Sequence, residues 1–406
     1  MNVGIFSDCY LPQINGVITS TQTLKEELEK RGHTVTVITV KTPLAKKSKK
    51  DVLRIPSVPF RAFEGFRIGV FYPPKLLVEI RKLKLDIIHT QTEFSVAMLG
   101  RMTGKLLGIP VVHTYHTMYE DYVHYIAKTR VNKVIIKKFA KKGSWFYLRS
   151  CQAVIVPSHK TAEALRGYGL KKDMDVIPTG IKISNFEEED EMELQEKLDG
   201  IREWFGWNKE DKILLFLGRV AKEKSIDVII QQLEPLLKKK KNIKLLVVGD
   251  GPEKKNLEIL VRELKLENQV IFSGWVEHQE TKYYYKLSNA FISASVTETQ
   301  GLTLYEAMAA DTVVIAKYDS NLDGVLQDGK NALIFHRNEE LKDKVLTLFS
   351  ENELEEKLLE EGKKTIDFLS AAHFGEKVEA VYQRVIEQKD QEKKRKFRIV
   401  RKKVKK

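Results

Sequence analysis

The sequence has little cysteine and no long apolar run. Its 406 residues include two cysteines, Cys9 and Cys151, which give neither a disulfide framework nor metal-ligand spacing and so suit a reducing cytoplasm. No stretch of about 18 apolar residues is present, and the N-terminal MNVGIFSDCYLP lacks a basic region followed by an apolar one. We therefore expect neither a signal peptide nor a bilayer-spanning helix.

The net charge of +13 is concentrated in two segments. Residues 128–149 contain eight lysines and arginines and no acid, and residues 389–406 contain eleven against two acids. The rest of the chain is mildly acidic. Basic segments on an acidic globule predict contact with an anionic surface, which is either a membrane or a nucleic acid.

Short apolar runs alternate with amphipathic segments along both halves of the chain. The first half has the runs VGIFS, TVTVITV, DIIHTQ, VVHTYH and AVIVPS, and the second has KILLFLGR, KLLVVGD, VIFSGW, AFISAS, TVVIA and ALIFH. Near-continuous apolar runs are typical of parallel strands covered on both faces. The fold class is therefore α/β, with two doubly wound, Rossmann-like domains that face each other across a cleft.

The domain boundary is expected near an acidic stretch, EEEDEMELQEK, that interrupts the alternation. We expect a first domain over residues 1–180, a linker over 181–210 and a second domain over 211–350. Charged C-terminal helices over 351–388 and a basic tail over 389–406 complete the chain.

The loop after the first strand, SDCYLPQINGV, contains Gly16 and runs into a helix near Thr19. Glycine lets the backbone approach a phosphate, and a helix N-terminus favours negative charge. The loop matches neither GxxxxGK[ST] nor GxGxxG, so an ordinary strand-to-helix turn is the better interpretation of this loop taken alone.

Two cations follow the strand KILLFL, in the loop GRVAKEKS. Arg219 and Lys224 could together hold a diphosphate, Arg219 through a forked contact and Lys224 as a point charge. Without further evidence, two solvated surface charges are an equally good interpretation.

The segment SVTETQGLTLYEAMAA places two carboxylates around a glycine. Glu298 lies in a loop and Glu306 one turn inside a helix that begins near Leu302, so both can line one pocket. The backbone N–H groups of Gly301, Leu302 and Thr303 would face a ligand at the helix N-terminus. Carboxylates accept paired hydroxyl donors, such as those of sugars and ribose.

These elements together resemble the retaining glycosyltransferase family 4. Glu298 and Glu306 match its paired glutamates, with Arg219, Lys224 and His116 upstream, and the resemblance covers nearly the whole chain. It implies the GT-B fold.

The segments HTQTEFS, HTYHTMYEDYVHYIAK and TETQGLT further resemble the bacterial 1,2-diacylglycerol 3-α-glucosyltransferases, which implies UDP-glucose as donor and diacylglycerol as acceptor. Asp311 stands where the family usually has glycine, and aspartate tolerates the left-handed turn.

The resemblance also implies the residue roles. Arg219 and Lys224 bind the donor diphosphate, Gly16 approaches its distal phosphate and Glu306 holds the ribose. Glu298 and His116 act at the sugar, where Gly301, Leu302 and Thr303 also bind. No cluster of His, Asp and Glu has metal-site spacing, so no metal or other cofactor is expected. The resemblance implies retention of configuration at the anomeric carbon, and no carboxylate is evidently placed as a nucleophile. A front-face reaction is therefore favoured.

The first basic segment has an amphipathic pattern. An apolar arc faces a basic one, and aromatic residues close the segment, as in helices that bind an anionic bilayer interface. The expected membrane-binding residues are Lys133, Lys137, Lys138, Lys141, Trp145 and Phe146. A domain-packing helix with a solvated basic face is an alternative, and nucleic-acid binding is disfavoured because no recognition fold is evident.

The sequence thus predicts an enzyme peripherally bound to the inner face of the cell membrane, with a UDP-sugar, diacylglycerol and anionic lipids as partners. Another acceptor, such as a glycosylated lipid, a soluble sugar or a protein, and UDP-galactose as donor remain open. A non-catalytic scaffold is disfavoured by the intact Arg219, Lys224, Glu298 and Glu306.

Overall fold

The computed structural model describes the chain except Ile14, 46–49, 61–65, 71–72, 117–137, 139–140, 188–189, 297, 299 and 405–406. The described chain forms two compact units. The first comprises Met1–Gly180 together with Ala371–Lys406, and the second comprises Ile181–Ser370.

The first unit is built on a parallel sheet of seven strands in the order β3-β2-β1-β6-β7-β8-β9. A short antiparallel hairpin, β4–β5, stands apart from it. The strands are β1 Asn2–Phe6, β2 Thr34–Val40, β3 Val52–Ile55, β4 Ser57–Pro59, β5 Arg67–Gly69, β6 Ile87–Thr90, β7 Val111–Thr114, β8 Ala153–Val156 and β9 Asp175–Val176.

Helices cover both faces of this sheet, because its strands are apolar on both sides. They are Gly16–Lys30, Pro73–Lys82, Ser95–Leu107, 141–148, His159–Gly167 and Ala371–Val404.

The second unit has a parallel sheet of six strands in the order β12-β11-β10-β13-β14-β15. Its strands are β10 Lys212–Leu217, β11 Ile243–Val248, β12 Val270–Gly274, β13 Ala290–Ser293, β14 Val313–Lys317 and β15 Leu333–Phe335. Its α-helices are Glu191–Phe205, Ile226–Lys239, Lys254–Glu263, Thr281–Leu287, Leu302–Ala309, Leu341–Ser350 and Asn352–Phe368. Its 3₁₀ turns are Ile183–Asn185, Lys222–Lys224, Ser320–Leu322 and Asn338–Glu340.

The prediction of two parallel, doubly wound sheets is confirmed, and every apolar run named above forms a strand. The short strands β3, β4, β5 and β9 were not predicted, because they carry little apolar periodicity. None of the described helices is both long and apolar enough to cross a membrane.

The chain segments between and after the domains differ from expectation. Residues 181–210, expected as a linker, belong to the second unit, because Ile181, Phe186 and Trp207 are buried in its core and Glu191–Phe205 is helical. The expected group of C-terminal helices is divided. Asn352–Phe368 packs in the second unit, whereas the chain then returns to the first.

The final helix, Ala371–Val404, completes the core of the first unit and continues through most of the basic tail. Val378, Tyr382 and Val385 are buried against Ile18 and Leu28 of helix Gly16–Lys30. The apolar face of this helix is therefore part of the core of the first unit.

Two glycines allow the loops after β10 and β11 to touch. Gly249 has a φ of 128°, and a Cβ there would lie 1.9 Å from the carbonyl oxygen of Gly218. A Cβ on Gly251 would lie 2.2 Å from the carbonyl oxygen of Val220. The loop that carries Arg219 is thereby held against its neighbour by backbone contact.

We expect Gly249→Ala to destabilise the protein by about 3 kcal/mol or more, because the methyl group meets backbone that cannot move aside and the φ disfavours alanine. Urea unfolding measures the change. Gly200→Ala is the matched control: it lies within helix Glu191–Phe205 with open space around it, and should stabilise by up to about 1 kcal/mol. Equal effects of the two substitutions would contradict the close approach of the loops.

Candidate functional site

The second unit gathers its predicted site residues at the carboxyl ends of two neighbouring strands. Arg219 and Lys224 follow β10, and Glu298 follows β13, which pairs directly with β10. Arg219 is exposed, and Lys224 ends the 3₁₀ turn Lys222–Lys224. Because ligands of open α/β sheets bind outside these strand ends, this edge is the candidate site of the second unit.

Lys224 and Glu298 are in direct contact. The Lys224 ammonium donates to Oε1 of Glu298, and both side chains are about three-quarters buried. The backbone carbonyl of Glu298 also accepts a hydrogen bond of 2.9 Å from Nδ2 of Asn321. Asn321 is therefore a positioning residue for the Glu298 loop. Nothing in its sequence pattern indicated this, since the two residues are 23 positions apart.

Helix Leu302–Ala309 begins at this edge, as predicted. Gly301 is its N-cap and has a φ of 81°, in the left-handed region that favours glycine. Leu302 and Thr303 form the first turn, whose backbone N–H groups lack partners within the helix. This N-terminus therefore offers backbone donors suited to phosphate or to sugar oxygens.

Glu306 lies one turn inside the same helix and is held by a buried tyrosine. The Tyr285 hydroxyl donates to Oε2 of Glu306 at 3.0 Å, and Thr312 Oγ1 donates to the Tyr285 carbonyl at 2.8 Å. Burial raises the pKa of Glu306, whereas nearby His278 and the Tyr285 bond lower it. Glu306 as a whole residue is intermediate in exposure, and a carboxylate accepts hydrogen bonds from hydroxyl groups.

Asp311 adopts the left-handed conformation that its position requires, with a φ of 56°. Its carboxylate pairs with Lys363 Nζ at 3.1 Å. The turn after helix Leu302–Ala309 therefore forms with aspartate in place of glycine.

In the first unit, His116 lies just beyond β7 and contacts Gln91, which follows β6. The two strands are neighbours, and His116 Nε2 lies 2.6 Å from Gln91 Oε1. Burial lowers the pKa of His116 to about 3, with a further contribution from His113. His116 is therefore neutral at physiological pH and donates from Nε2 to the amide oxygen.

Two further histidines stand on the neighbouring strands. His113 contacts Thr90 Oγ1 at 2.8 Å and Glu93 at 3.1 Å. His89 contacts Thr114 Oγ1 at 2.7 Å and the hydroxyl of Tyr382 at 2.6 Å, and burial lowers its pKa well below the usual range. The final helix thus contacts β6, the strand that precedes Gln91.

Asp8 organises the same edge from the end of β1. Its carboxylate accepts from Thr92 Oγ1 at 2.7 Å, from Ser95 Oγ at 2.6 Å and from the Val96 N–H at 2.8 Å. It thereby joins the first strand to the N-terminus of helix Ser95–Leu107. Burial raises its pKa, and these bonds oppose that effect.

Gly16 is the first residue of helix Gly16–Lys30, which begins three residues earlier than predicted. The reason is the N-cap Asn15, whose Oδ1 accepts from the Ile18 N–H at 3.0 Å. Gly16 is exposed at this N-terminus, so its backbone is accessible to an anion.

The predicted membrane segment is described in part. Lys133 and Lys137 lie outside the described residues; Lys138 is exposed, and residues 141–148 are helical. Phe146 is 58% exposed. Trp145 is partly buried, since its Nε1 donates to the Gly169 carbonyl at 3.2 Å and Arg149 lies over its ring. Lys141 lies over the ring of Tyr168.

Two family models match the two halves of the chain. One, described as Glycosyltransferase Family 4, matches residues 14–185, and the other, described as Glycosyl transferases group 1, matches residues 199–365.

Two curated relatives carry the same name, alpha-monoglucosyldiacylglycerol synthase. The chain is 39% identical to that of Streptococcus pneumoniae, over 94% of this chain and 85% of the relative. It is 37% identical to that of Acholeplasma laidlawii, over 84% of this chain and 86% of the relative.

Solved structures share the fold at lower identity. Anabaena Alr3699/HepE in complex with UDP has a TM-score of 0.74 at 14% identity, covering 94% of this chain and all of that one. Sucrose-phosphate synthase from Thermosynechococcus elongatus has a TM-score of 0.73 at 19% identity, covering 95% and 99%.

We expect Glu306→Gln to raise the melting temperature while lowering sugar transfer at least about tenfold. The folded pKa of Glu306 lies above its unfolded value, so the ionised carboxylate costs stability at neutral pH, and this cost disappears as the pH falls below the unfolded pKa. A gain of about 1 kcal/mol corresponds to roughly 2–4 °C. Calorimetry should show the gain at pH 7 and a smaller one near pH 4.5; an equal gain at both would refute the charge argument.

We expect Gln91→Glu to add an acid limb to the pH profile of kcat/KM. The native profile should lack a His116 limb, because His116 is neutral at every pH well above 3. A carboxylate at 91 raises the pKa of His116 towards or above its ordinary value of about 6.5, so activity falls in acid as the ring becomes charged. Gln91→Met, which adds no charge, should lower the whole profile and leave its shape unchanged.

Proposed function

Because the chain belongs to glycosyltransferase family 4, we propose that it transfers glucose from UDP-glucose to the 3-hydroxyl of 1,2-diacylglycerol, forming α-monoglucosyldiacylglycerol. The observation that carries the proposal is the pairing of Lys224 with Glu298 beside the N-terminus of helix Leu302–Ala309. The names of the two curated relatives support the choice of substrates.

The donor binds at the second unit in this proposal. Lys224 and Arg219 offset the charge of the diphosphate, Glu306 accepts bonds from the ribose hydroxyls and Glu298 accepts them from the sugar. The first-turn N–H groups of Leu302 and Thr303 add donors at the same edge. Gly16, at the exposed N-terminus of its helix in the first unit, approaches the distal phosphate.

The reaction proceeds with retention on the front face of the sugar. The bond between the anomeric carbon and the phosphate oxygen breaks, and the acceptor oxygen forms a bond on the same face. The acceptor proton passes to the departing phosphate oxygen. Neutral His116 donates to or accepts from groups at the sugar, and the cations stabilise the leaving group, so no metal or other cofactor is required.

The enzyme works on the cytoplasmic face of a bacterial membrane as a peripheral protein. Exposed Lys138 and Phe146 support this, together with the cations of the first basic segment, since each lysine or arginine near an anionic surface contributes about 1 kcal/mol. Anionic lipids are therefore partners as well as diacylglycerol.

Lys224→Gln should lower kcat/KM for UDP-glucose by at least about 100-fold, the scale of losing one charge-stabilising group in a transition state. Lys222→Gln, an exposed lysine in the same 3₁₀ turn, is the matched control and should retain near-normal activity. The assay measures monoglucosyldiacylglycerol by thin-layer chromatography with detergent-dispersed diacylglycerol. A Lys224→Gln enzyme as active as the control would remove the basis of the donor site.

The same assay tests the donor, the acceptor and the cofactor. UDP-galactose replaces UDP-glucose in one arm, and a soluble sugar or a glycosylated lipid replaces diacylglycerol in others; a preference for any of these would overturn the proposed substrates. EDTA should leave the rate unchanged, whereas loss of activity restored by a divalent ion would overturn metal-independent transfer.

A further inference from the structure

Helix Ser95–Leu107 of the first unit has an apolar face that is exposed. Met98, Met102 and Leu106 are 40%, 39% and 63% exposed. Their four-residue spacing keeps them on one side of the helix. We call these three residues the apolar stripe. Its other side is buried, with Val96, Leu99 and Thr103 facing the core.

Further apolar side chains are exposed on elements that contact this helix. The hairpin β4–β5 contacts it, and the Gly69 N–H donates to Ser95 Oγ at 2.8 Å. The hairpin exposes Val58 and Ile68. Phe146, whose ring lies beneath the guanidinium of Arg101 from the same helix, is also exposed. Large exposed apolar side chains that gather on neighbouring elements mark a candidate interaction site.

The charged residues of the helix that carries the stripe are all cations. Helix Ser95–Leu107 contains Arg101 and Lys105 and no acidic residue. The Arg101 guanidinium lies 4.3 Å from the ring centre of Tyr147 and 5.8 Å from that of Phe146, and Arg149 also lies 5.8 Å from the Phe146 ring. Apolar side chains bordered by cations and aromatic rings match the boundary between anionic lipid headgroups and acyl chains.

The position of the helix relates the stripe to the candidate site. Its N-terminus is bonded to Asp8 and begins four positions after Gln91, the partner of His116. From Met98 to Leu106 the stripe then runs about 12 Å away from that end. Because one helix joins the strand ends to the stripe, the depth of the stripe in a bilayer would fix the distance of the strand ends from the acyl chains.

We propose that the apolar stripe of helix Ser95–Leu107 inserts into the bilayer interface and holds the first unit at the depth at which a lipid acceptor reaches the strand ends. This inference rests on the proposed lipid acceptor. It adds an apolar, salt-resistant contact, on a different helix, to the electrostatic attraction of the first basic segment.

A fluorescent label reports the insertion directly. Leu106→Cys is labelled with an environment-sensitive nitrobenzoxadiazole group; native Cys9 and Cys151 are buried, and burial raises the pKa of each thiol to about 11, so they react slowly. With vesicles of equimolar phosphatidylcholine and phosphatidylglycerol, the emission should shift to the blue. Met192→Cys, on an exposed helix position of the second unit, is the control and should not shift.

The double variant Met98→Gln/Met102→Gln should bind these vesicles about tenfold more weakly. The reason is that two methionine side chains would no longer contribute apolar contact with the bilayer. Met192→Gln is the matched control, with the same replacement at a 75% exposed site, and should bind normally. In about 1 M NaCl, where charges are screened beyond about 3 Å, the native protein should retain a residual affinity that the double variant lacks.

Three outcomes would overturn the proposal. One is an unchanged emission from the label of the Leu106→Cys variant when the protein sediments with vesicles. Another is equal vesicle binding by the double variant and its control. The third is a label already in apolar surroundings without vesicles that becomes polar on dilution, since a second copy of the chain would then cover the stripe. Transfer to detergent-dispersed diacylglycerol is measured separately, so its absence would reject the proposed function without affecting the insertion result.

Discussion

The buried carboxylate of Asp8 is the contact on which the functional edge of the first unit depends. A carboxylate without partners would not tolerate burial at this depth, and three donors from Thr92, Ser95 and Val96 hold it in place. Its hydrogen bonds hold together the end of β1, the loop that carries Gln91 and the start of helix Ser95–Leu107 in one arrangement. Gln91, which contacts neutral His116, and the exposed apolar stripe both extend from this arrangement.

In the second unit, a pair of opposite charges lies at the carboxyl ends of two neighbouring strands. Lys224 and Glu298 neutralise one another across the ends of β10 and β13, and Asn321 fixes the carbonyl behind Glu298. A diphosphate would compete with Glu298 for the ammonium and so release the carboxylate for sugar hydroxyls. In the proposed donor site, donor binding and sugar recognition would be coupled chemically, because one ion pair would serve both.

The apolar runs predicted the sheets because burial on both faces leaves a strong local pattern, and Asp311 adopts the left-handed geometry expected at its turn. The partners that hold the site could not be predicted. Tyr285 with Glu306 and Tyr382 with His89 are contacts between residues 21 and 293 positions apart, and only the folded topology brings them together. The apolar stripe was also missed, since the pattern of helix Ser95–Leu107 equally suits a helix buried in a core.

The route of the chain, which leaves the first unit at Gly180 and returns at Ala371, fixes an order of events during synthesis. The second unit is one continuous stretch and can fold as soon as it has left the ribosome. The first unit must wait for the last helix, because Tyr382, Val378 and Val385 fill its core. Until then its sheet exposes the apolar surface around Ile18 and Leu28, so the part of the protein made first is the part finished last.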